Sequence, residues 1–283
     1  GDAKTQAANF AAQIALAPDQ TLPPALDIEV AEGKSAAQLE QWIEEFTSEL
    51  KRLTGRTPMI YTYKYFWMGQ MNNSQKFSDM PLWLAAYQDQ APEAVGGWNE
   101  LSFWQRSGSG KVAGISTDVD MNLFNGSKQQ LQSFSDGNYV DVGGALEQLV
   151  VSDGLDLSSD STPLIGAILA LAAGLIAIPQ LADAAEKSGL DPQAAEGLAG
   201  FVKTLKDKDA LPVEDLGDMA KGNFSVSDLA ILLDNAGHVN NVKSGNVSES
   251  EVSEAKNAAK NAGADVPDFD AGQAATLLNR VLQ

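Results

Sequence analysis

Apolar and polar residues alternate in a short stretch that follows a Pro-Pro pair near the start of the chain. The stretch Leu26–Val30 places three apolar side chains on one side of a strand, and Asp27 and Glu29 on the other. Because each strand residue rises about 3.3 Å, the two acidic residues share a face roughly 7 Å apart. The pattern therefore predicts a strand that carries two neighbouring carboxyl groups.

Strand and helix patterns alternate through the rest of the first half of the chain. Helical spacing predicts helices over 3–16 and over 35–53, the second with Ser35 as N-cap and Gly55 as its end. Strand patterns follow at 58–63, 81–87 and 101–106; a Gly-rich turn is expected at 107–114, before 118–124. Such alternation predicts an α/β fold with parallel strands, as in (β/α) barrels.

Helical patterns dominate the second half. Leu164–Ile178 is a run of fifteen apolar residues between two prolines. A membrane span needs about 20 residues, so a buried core helix is favoured over insertion. Further helices are predicted at 180–188, 192–205, 213–221 and 269–282. This half is predicted to be an all-α domain.

The distribution of aromatic residues marks a domain boundary. All five Trp, all five Tyr and seven of the ten Phe lie in residues 1–139. Residues 140–283 hold twenty-two acidic against nine basic residues. We therefore predict two domains, 1–139 and 140–283, joined near 136–143.

Charge and cysteine content narrow the functional classes. The net charge of −19 argues against nucleic acid as a partner, because nucleic acid selects basic surfaces. The absence of cysteine excludes disulfides, a thiol nucleophile and a Cys-based zinc site. No signal peptide is visible and the sequence starts at Gly1, so a processed product or a fragment is expected.

The paired carboxyl groups at 27 and 29 suit one kind of chemistry. Two neighbouring acids repel each other, so one tends to keep a proton while the other is ionised. Glycoside hydrolysis needs that combination, an acid for the leaving oxygen and an anion for the cationic centre. A solvated strand edge is the alternative interpretation.

Aromatic and polar side chains gather at the predicted strand ends, where β/α barrels place their chemistry. Aromatic faces stack on the apolar faces of sugar rings. The candidates beside Asp27 and Glu29 are Tyr61, Tyr63, Trp83, Tyr87, Trp104 and Gln105.

The motif series resembles glycoside hydrolase family 25, the lysozyme-type N-acetylmuramidases. The matching segments, in order, are LPPALDIEV, PMIYTYKYFW, PLWLAAY and FWQRSGSGKVAGISTDVDMNLFNG, within roughly residues 3–126. The resemblance implies a TIM-like (β/α) barrel, of which this chain would hold the C-terminal strands, followed by the all-α domain.

The resemblance also assigns roles. It implies that Glu29 is the general acid/base and that Asp27 orients or stabilises the N-acetyl group and the charged intermediate. Asp120 matches the late acidic residue of the family, with Asp118 as the alternative. Tyr61 and Trp83 match glycan-contacting positions, as do Tyr63 and Tyr87. The implied reaction cleaves the β-1,4 bond between N-acetylmuramic acid and N-acetylglucosamine, with retention assisted by the substrate's acetamido group.

Family members carry further strands before a helix like the one at 3–16, including one with an early catalytic-site Asp. An open half-barrel exposes apolar surface. We therefore expect the missing part in a separate chain, in a cleaved fragment or in a longer parent, and expect catalysis to need it.

A repeat in the second half raises calcium as a possible ligand. Gly222–Leu229 recurs as Gly245–Val252, and both resemble the second half of an EF-hand loop. Weak calcium sites at 217–228 or 240–251 are one interpretation. Helix N-caps at Ser225 or Ser227, and at Ser248, are the other, and no other metal or cofactor is predicted.

Two functional hypotheses result. The first is an antibacterial or bacteriolytic peptidoglycan hydrolase that is secreted or delivered to the cell wall or periplasm. The second is a non-catalytic module that binds the cell wall or docks a partner. Peptidoglycan strands, an N-terminal fragment of the same barrel, and an immunity or carrier protein are the expected partners.

Overall fold

The computed structural model describes residues 1–17, 19–151 and 156–238, which fall into two compact units, Gly1–Gly154 and Leu155–Gln283. The boundary predicted at 139–140 therefore moves to 154–155. The reason is that the segment after 139 bonds back to the first unit. The amide of Gly143 donates to the Asn125 carbonyl (2.7 Å), and that of Val151 donates to the Asp89 carbonyl (2.8 Å).

Five strands form one sheet in the order β1-β2-β3-β4-β5. They are β1 (Ala25–Asp27), β2 (Met59–Tyr63), β3 (Leu82–Ala85), β4 (Phe103–Gly110) and β5 (Val119–Phe124). The pairings β1–β2, β2–β3 and β3–β4 are parallel, as predicted, whereas β5 is antiparallel to β4. The connection over 111–118 is too short for the dozen or more residues that a parallel crossover needs.

Strand β4 continues through the Gly-rich segment where a turn was predicted. The ladder to β5 shifts register between Gln105 and Ser107 and again before Gly110, as β-bulges do. A Cβ atom at Gly110 would lie 2.2 Å from Met121 Cγ, so the strand needs glycine there. The β4–β5 hairpin consequently extends past the C-terminal ends of the other strands.

Three helices complete the first unit: α1 (Ala3–Ala15), α2 (Ala36–Thr54) and α3 (Lys128–Ser135). Helix α2 begins and ends where its sequence predicts. The Ser35 hydroxyl accepts from the Gln38 amide while the Gln38 side chain accepts from the Ser35 amide, a capping box. Gly55 ends the helix in the left-handed region (φ 71°), which glycine adopts without strain.

The two faces of the sheet carry different side chains. Leu26, Ile60 and Leu82 are register partners on one face and are fully or almost fully buried. On the opposite face, Met59 and Phe103 pack with Phe134 of α3 in a second apolar cluster. That cluster lies on the face of the sheet that carries Trp83, one of the strand-end residues of the candidate site.

The second unit is helical over the residues described. Its helices are α4 (Thr162–Ala172), α5 (Ile178–Lys187), α6 (Pro192–Asp207), α7 (Val213–Met219) and α8 (Val226–His238). The apolar run over 164–178 is not one helix, because α4 ends at Ala172 and Gly174 turns the chain (φ 72°). Across the described ranges, no helix has both the length and the apolar character for a membrane span. The helix predicted at 269–282 lies outside the described residues.

The α/β fold class is thus confirmed for the first unit. Its sheet ends at β1 on one side and at β5 on the other within the described part of the chain. The five strands are an open sheet there rather than a closed barrel.

Candidate active site

The strand pairing aligns three of the predicted site residues in one row. Asp27 is the register partner of Tyr61 on β2, and Tyr61 is the partner of Trp83 on β3. Register partners in neighbouring strands point to the same face. An acid and two aromatic side chains therefore stand side by side at the C-terminal edge of the sheet.

Glu29 follows directly on this row. The Ile28 amide donates to the Tyr61 carbonyl (3.0 Å), which extends the parallel ladder beyond Asp27. The Asp27 and Glu29 carboxyl groups lie close enough to interact, and a hydrogen bond between them needs one of them to hold a proton. Desolvation raises the pKa of the Asp27 carboxyl even though the residue keeps exposed surface, and the interaction with Glu29 opposes that shift. The pair can therefore carry a proton and a negative charge together.

Tyr61 lies at the centre of the cluster. Its hydroxyl donates to Gln105 Oε1 (2.6 Å), and its ring meets the Trp83 ring edge to face with centroids 5.0 Å apart. Burial, followed by the negative charge of Glu29, raises the pKa of the Tyr61 phenol far above its ordinary value. The phenol therefore stays neutral and keeps its proton.

Smaller contributions to the same upward shift in the pKa of Tyr61 come from Tyr87, Asp27 and Asp120. Such contributions require proximity, so all three groups lie near Tyr61. Gly108 of β4 shows how closely the hairpin approaches. A Cβ atom at Gly108 would lie 3.0 Å from Tyr87 Oη and 3.7 Å from Asp120 Oδ1.

Asp118, the alternative to Asp120, has a different environment. It forms an ion pair with Lys111 at the exposed turn of the β4–β5 hairpin. The structure thus brings Asp120, and not Asp118, to the side of Tyr61.

Three of the predicted glycan contacts are buried. Tyr63 and Trp104 have no exposed surface, and Gln105 is only 3% exposed. The Trp104 indole N–H donates to the Ala86 carbonyl (2.7 Å). Their sites in the sheet point to packing and positioning, while Trp83 and Tyr87 remain partly exposed.

Asn122 is a site residue that the sequence reasoning missed. Its Oδ1 accepts a hydrogen bond from the Trp83 indole N–H (2.9 Å). The signal was the alternation of polar residues at 118, 120 and 122, which places Asn122 on the same face as Asp120.

The expected calcium loop at 217–228 contains a helix cap. The Ser225 hydroxyl accepts from the Asp228 amide (3.2 Å), and Asp228 Oδ2 accepts from the Ser225 amide (3.0 Å). Ser225 is therefore the N-cap of α8. Among the described residues, no group of three or more His, Asp or Glu side chains is placed to hold a metal ion. The second loop, 240–251, lies outside those residues, and calcium binding stays a prediction.

Asp27→Asn is expected to stabilise the protein near neutral pH. A raised folded-state pKa means that folding favours protonated Asp27. Its contribution to stability is therefore fully present below its ordinary pKa of 3.8 and is lost as pH rises through the raised value. Asn mimics the protonated form at every pH. Urea unfolding should give the variant a larger free energy of unfolding at pH 7, with the difference shrinking towards pH 3.8.

Asp136→Asn, at the exposed C-cap of α3, is the matched control and should show no such pH-dependent gain. A destabilised Asp27→Asn variant at pH 7 would contradict the prediction.

Comparison with known proteins finds a family model that matches most of the first unit. Residues 1–115 match the family model Glycosyl hydrolases family 25. The resemblance expected from the motifs is thus confirmed for this segment, which contains Asp27, Glu29, Tyr61 and Trp83. The match ends before Asp120.

Individual relatives agree with the family match. Lysozyme M1 from Streptomyces globisporus is 38% identical over 122 residues, 40% of this chain and 41% of its own length. An N,O-diacetylmuramidase from Arthroderma benhamiae is 35% identical over 124 residues, 41% of this chain and 51% of its own. The chain therefore spans about two-fifths to half of these relatives.

Solved structures are also similar to part of the chain. A bacterial lysozyme from Streptomyces coelicolor is 34% identical, over 41% of this chain and 57% of its own, with a TM-score of 0.40. A family GH25 lysozyme from Aspergillus fumigatus is also 34% identical, over 40% of this chain and 56% of its own, with a TM-score of 0.37.

Proposed function

We propose that the first unit carries the acid/base part of a peptidoglycan hydrolase site. The substrate bond is the β-1,4 link between N-acetylmuramic acid and N-acetylglucosamine. The observation that carries the proposal is the pair of interacting carboxyl groups, Asp27 and Glu29, at the C-terminal end of β1 and beside Tyr61. Relatives named lysozyme and N,O-diacetylmuramidase support the substrate class.

The proposed reaction divides the work between the two acids. Protonated Glu29 gives its proton to the glycosidic oxygen as the bond from that oxygen to the anomeric carbon breaks. The acetamido oxygen of the same sugar attacks the anomeric carbon, and ionised Asp27 stabilises the resulting oxazolinium ion. Water then attacks the anomeric carbon from the face of the departed sugar as the bond to the acetamido oxygen breaks, and it gives a proton to Glu29, with net retention.

The aromatic residues beside the acids serve as the sugar platform in this proposal. Trp83 and Tyr87 are partly exposed next to Tyr61, and aromatic rings stack on the apolar faces of sugars. Asp120 adds a further carboxylate near Tyr61, where it can accept hydrogen bonds from sugar hydroxyl groups.

The proposal also includes a partner for the edge of β1. Parallel sheets are normally covered or closed, and β1 carries Asp27 while pairing only with β2 within the described residues. We propose that further strands, from the same parent protein or a separate N-terminal fragment, pair with β1 and complete a (β/α) barrel. Activity would then depend on those strands.

The acidic second unit fits a role in delivery or recognition, with an immunity or carrier protein as its partner. A secreted or cell-wall location follows from the proposed substrate. The competing function is a wall-binding or docking module without catalysis.

Digestion of purified peptidoglycan tests the proposal. The chain, alone and extended by strands that pair with β1, is incubated with purified cell walls, and new reducing ends are reduced with borohydride. Release of fragments ending in muramitol supports the proposed cleavage. Fragments ending in reduced N-acetylglucosamine would contradict it, and wall binding without any release would favour the non-catalytic module.

A further inference from the structure

Two side-chain amides of the β4–β5 hairpin face the two aromatic rings at the centre of the site. Gln105 and Asn122 are register partners across β4 and β5. Tyr61 and Trp83 are register partners across β2 and β3. Each amide bonds to one ring of the aromatic pair. Side-chain hydrogen bonds therefore join the amide pair on β4 and β5 to the aromatic pair on β2 and β3.

The hydrogen bonds use the polar atom of each ring. The Tyr61 hydroxyl donates to Gln105 Oε1 (2.6 Å), and the Trp83 indole N–H donates to Asn122 Oδ1 (2.9 Å). The two rings meet edge to face with centroids 5.0 Å apart. Since each bond fixes one ring and the rings contact each other, the amides hold the orientation of both.

We infer that Gln105 and Asn122 are positioning residues that fix the Tyr61–Trp83 pair as a rigid platform for a sugar ring. The inference rests on the proposed function for the identity of the ligand as a peptidoglycan sugar. The orientation of the rings does not depend on it. Gln105 is 3% exposed, so it acts through Tyr61 and not by touching the glycan.

The two hydrogen bonds also determine which groups of the platform can interact with a ligand. A phenol and an indole each have a single N–H or O–H proton. Both protons are committed to the amides, so towards a ligand the rings present faces and edges, and the phenol oxygen only accepts. The platform therefore selects the apolar face of a sugar ring, and hydroxyl recognition falls to the neighbouring carboxylates.

Variants that remove only the acceptor atom test this inference in the full chain. Gln105→Met and Asn122→Leu keep side-chain size and lose the carbonyl oxygen, whereas Asn122→Asp keeps an acceptor for Trp83. Gln41→Met is the matched control, because Gln41 is an exposed amide on α2 that bonds to Glu45. The probe is a tetrasaccharide of alternating N-acetylglucosamine and N-acetylmuramic acid.

Two readouts separate orientation from binding. Near-ultraviolet circular dichroism reports the coupled Tyr61–Trp83 rings, and tryptophan fluorescence titration gives the Kd. Gln105→Met and Asn122→Leu should each change the near-ultraviolet spectrum at unchanged far-ultraviolet signal. They should raise the Kd about fivefold to tenfold, the effect of one lost hydrogen bond. Asn122→Asp and Gln41→Met should match the parent protein.

The outcomes distinguish this inference from the proposed function. Unchanged near-ultraviolet spectra in Gln105→Met and Asn122→Leu would overturn the positioning role. An Asn122→Asp variant as impaired as Asn122→Leu would also overturn it, since the acceptor atom would then not matter. If both variants alter the spectrum but the parent protein, extended by strands that pair with β1, does not bind the tetrasaccharide, the proposed function is overturned and the role of the amides is supported. If Gln105→Met fails to fold, Gln105→Glu retains an acceptor and should preserve the spectrum.

Discussion

Replacing Glu29 by Gln is expected to lower kcat for peptidoglycan hydrolysis about 10²- to 10⁴-fold, with little change in KM. Gln has the size of a protonated Glu and keeps its hydrogen-bonding capacity, but it has no proton to give to the glycosidic oxygen. The substrate would therefore bind as before, and only proton transfer would be lost. The rate of release of reducing ends from purified cell walls measures the effect.

The matched control for Glu29→Gln is Glu32→Gln, the same chemical change three residues later. Glu32 is exposed and pairs with Lys34. Its variant should keep activity within about twofold of the parent. Equal activity of the Glu29→Gln variant and the parent would remove Glu29 from the mechanism, even if the walls are still digested.

Local sequence signals defined the elements of the first unit well. Helix α2 begins after Ser35 and ends before Gly55 because the capping groups belong to the residues themselves. The strand predicted over 58–63 likewise matches the observed strand Met59–Tyr63. Such features depend on contacts within a few residues, so the sequence alone contains them.

The β4–β5 hairpin depends on contacts that a local pattern does not contain. Glycines at 108 and 110 indicate a turn, yet the strand continues through them, and Tyr87 and Met121 lie close to where their Cβ atoms would be. The antiparallel register that pairs Gln105 with Asn122 is set by two bulges. Asn122 was therefore missed even though its neighbour Asp120 was predicted.

The rule that functional residues gather at strand ends predicted that the site lies at the C-terminal edge of the sheet. It did not predict which face of the sheet carries the site. Trp104 and Gln105 are consecutive, so a strand directs them to opposite faces. Only Gln105 faces Tyr61, and Trp104 points into the core. The alternation of side chains along β4 shows that the two residues lie on opposite faces. The register with β3 is needed to tell which of them lies on the face of Tyr61.

Replacing Trp104 by Ala is expected to cost about 3–5 kcal/mol of the free energy of unfolding of the first unit. Trp104 has no exposed surface, and its indole N–H donates to the Ala86 carbonyl (2.7 Å). The substitution would leave a large cavity and an unsatisfied buried carbonyl. Urea unfolding followed by tryptophan fluorescence reports this unit specifically, because all five Trp residues of the chain lie in it.

Trp83→Ala is the comparison that separates the core from the site. Trp83 is partly exposed on the face of Asp27 and Tyr61, so its loss should destabilise the first unit less than the loss of Trp104 while weakening glycan binding more. Trp104→Phe, which fills most of the space but lacks the N–H group, should fall between Trp104→Ala and the parent in stability and keep the Kd of the parent. A Trp104→Phe variant with parent stability and weakened binding would contradict the assignment of Trp104 to the core alone.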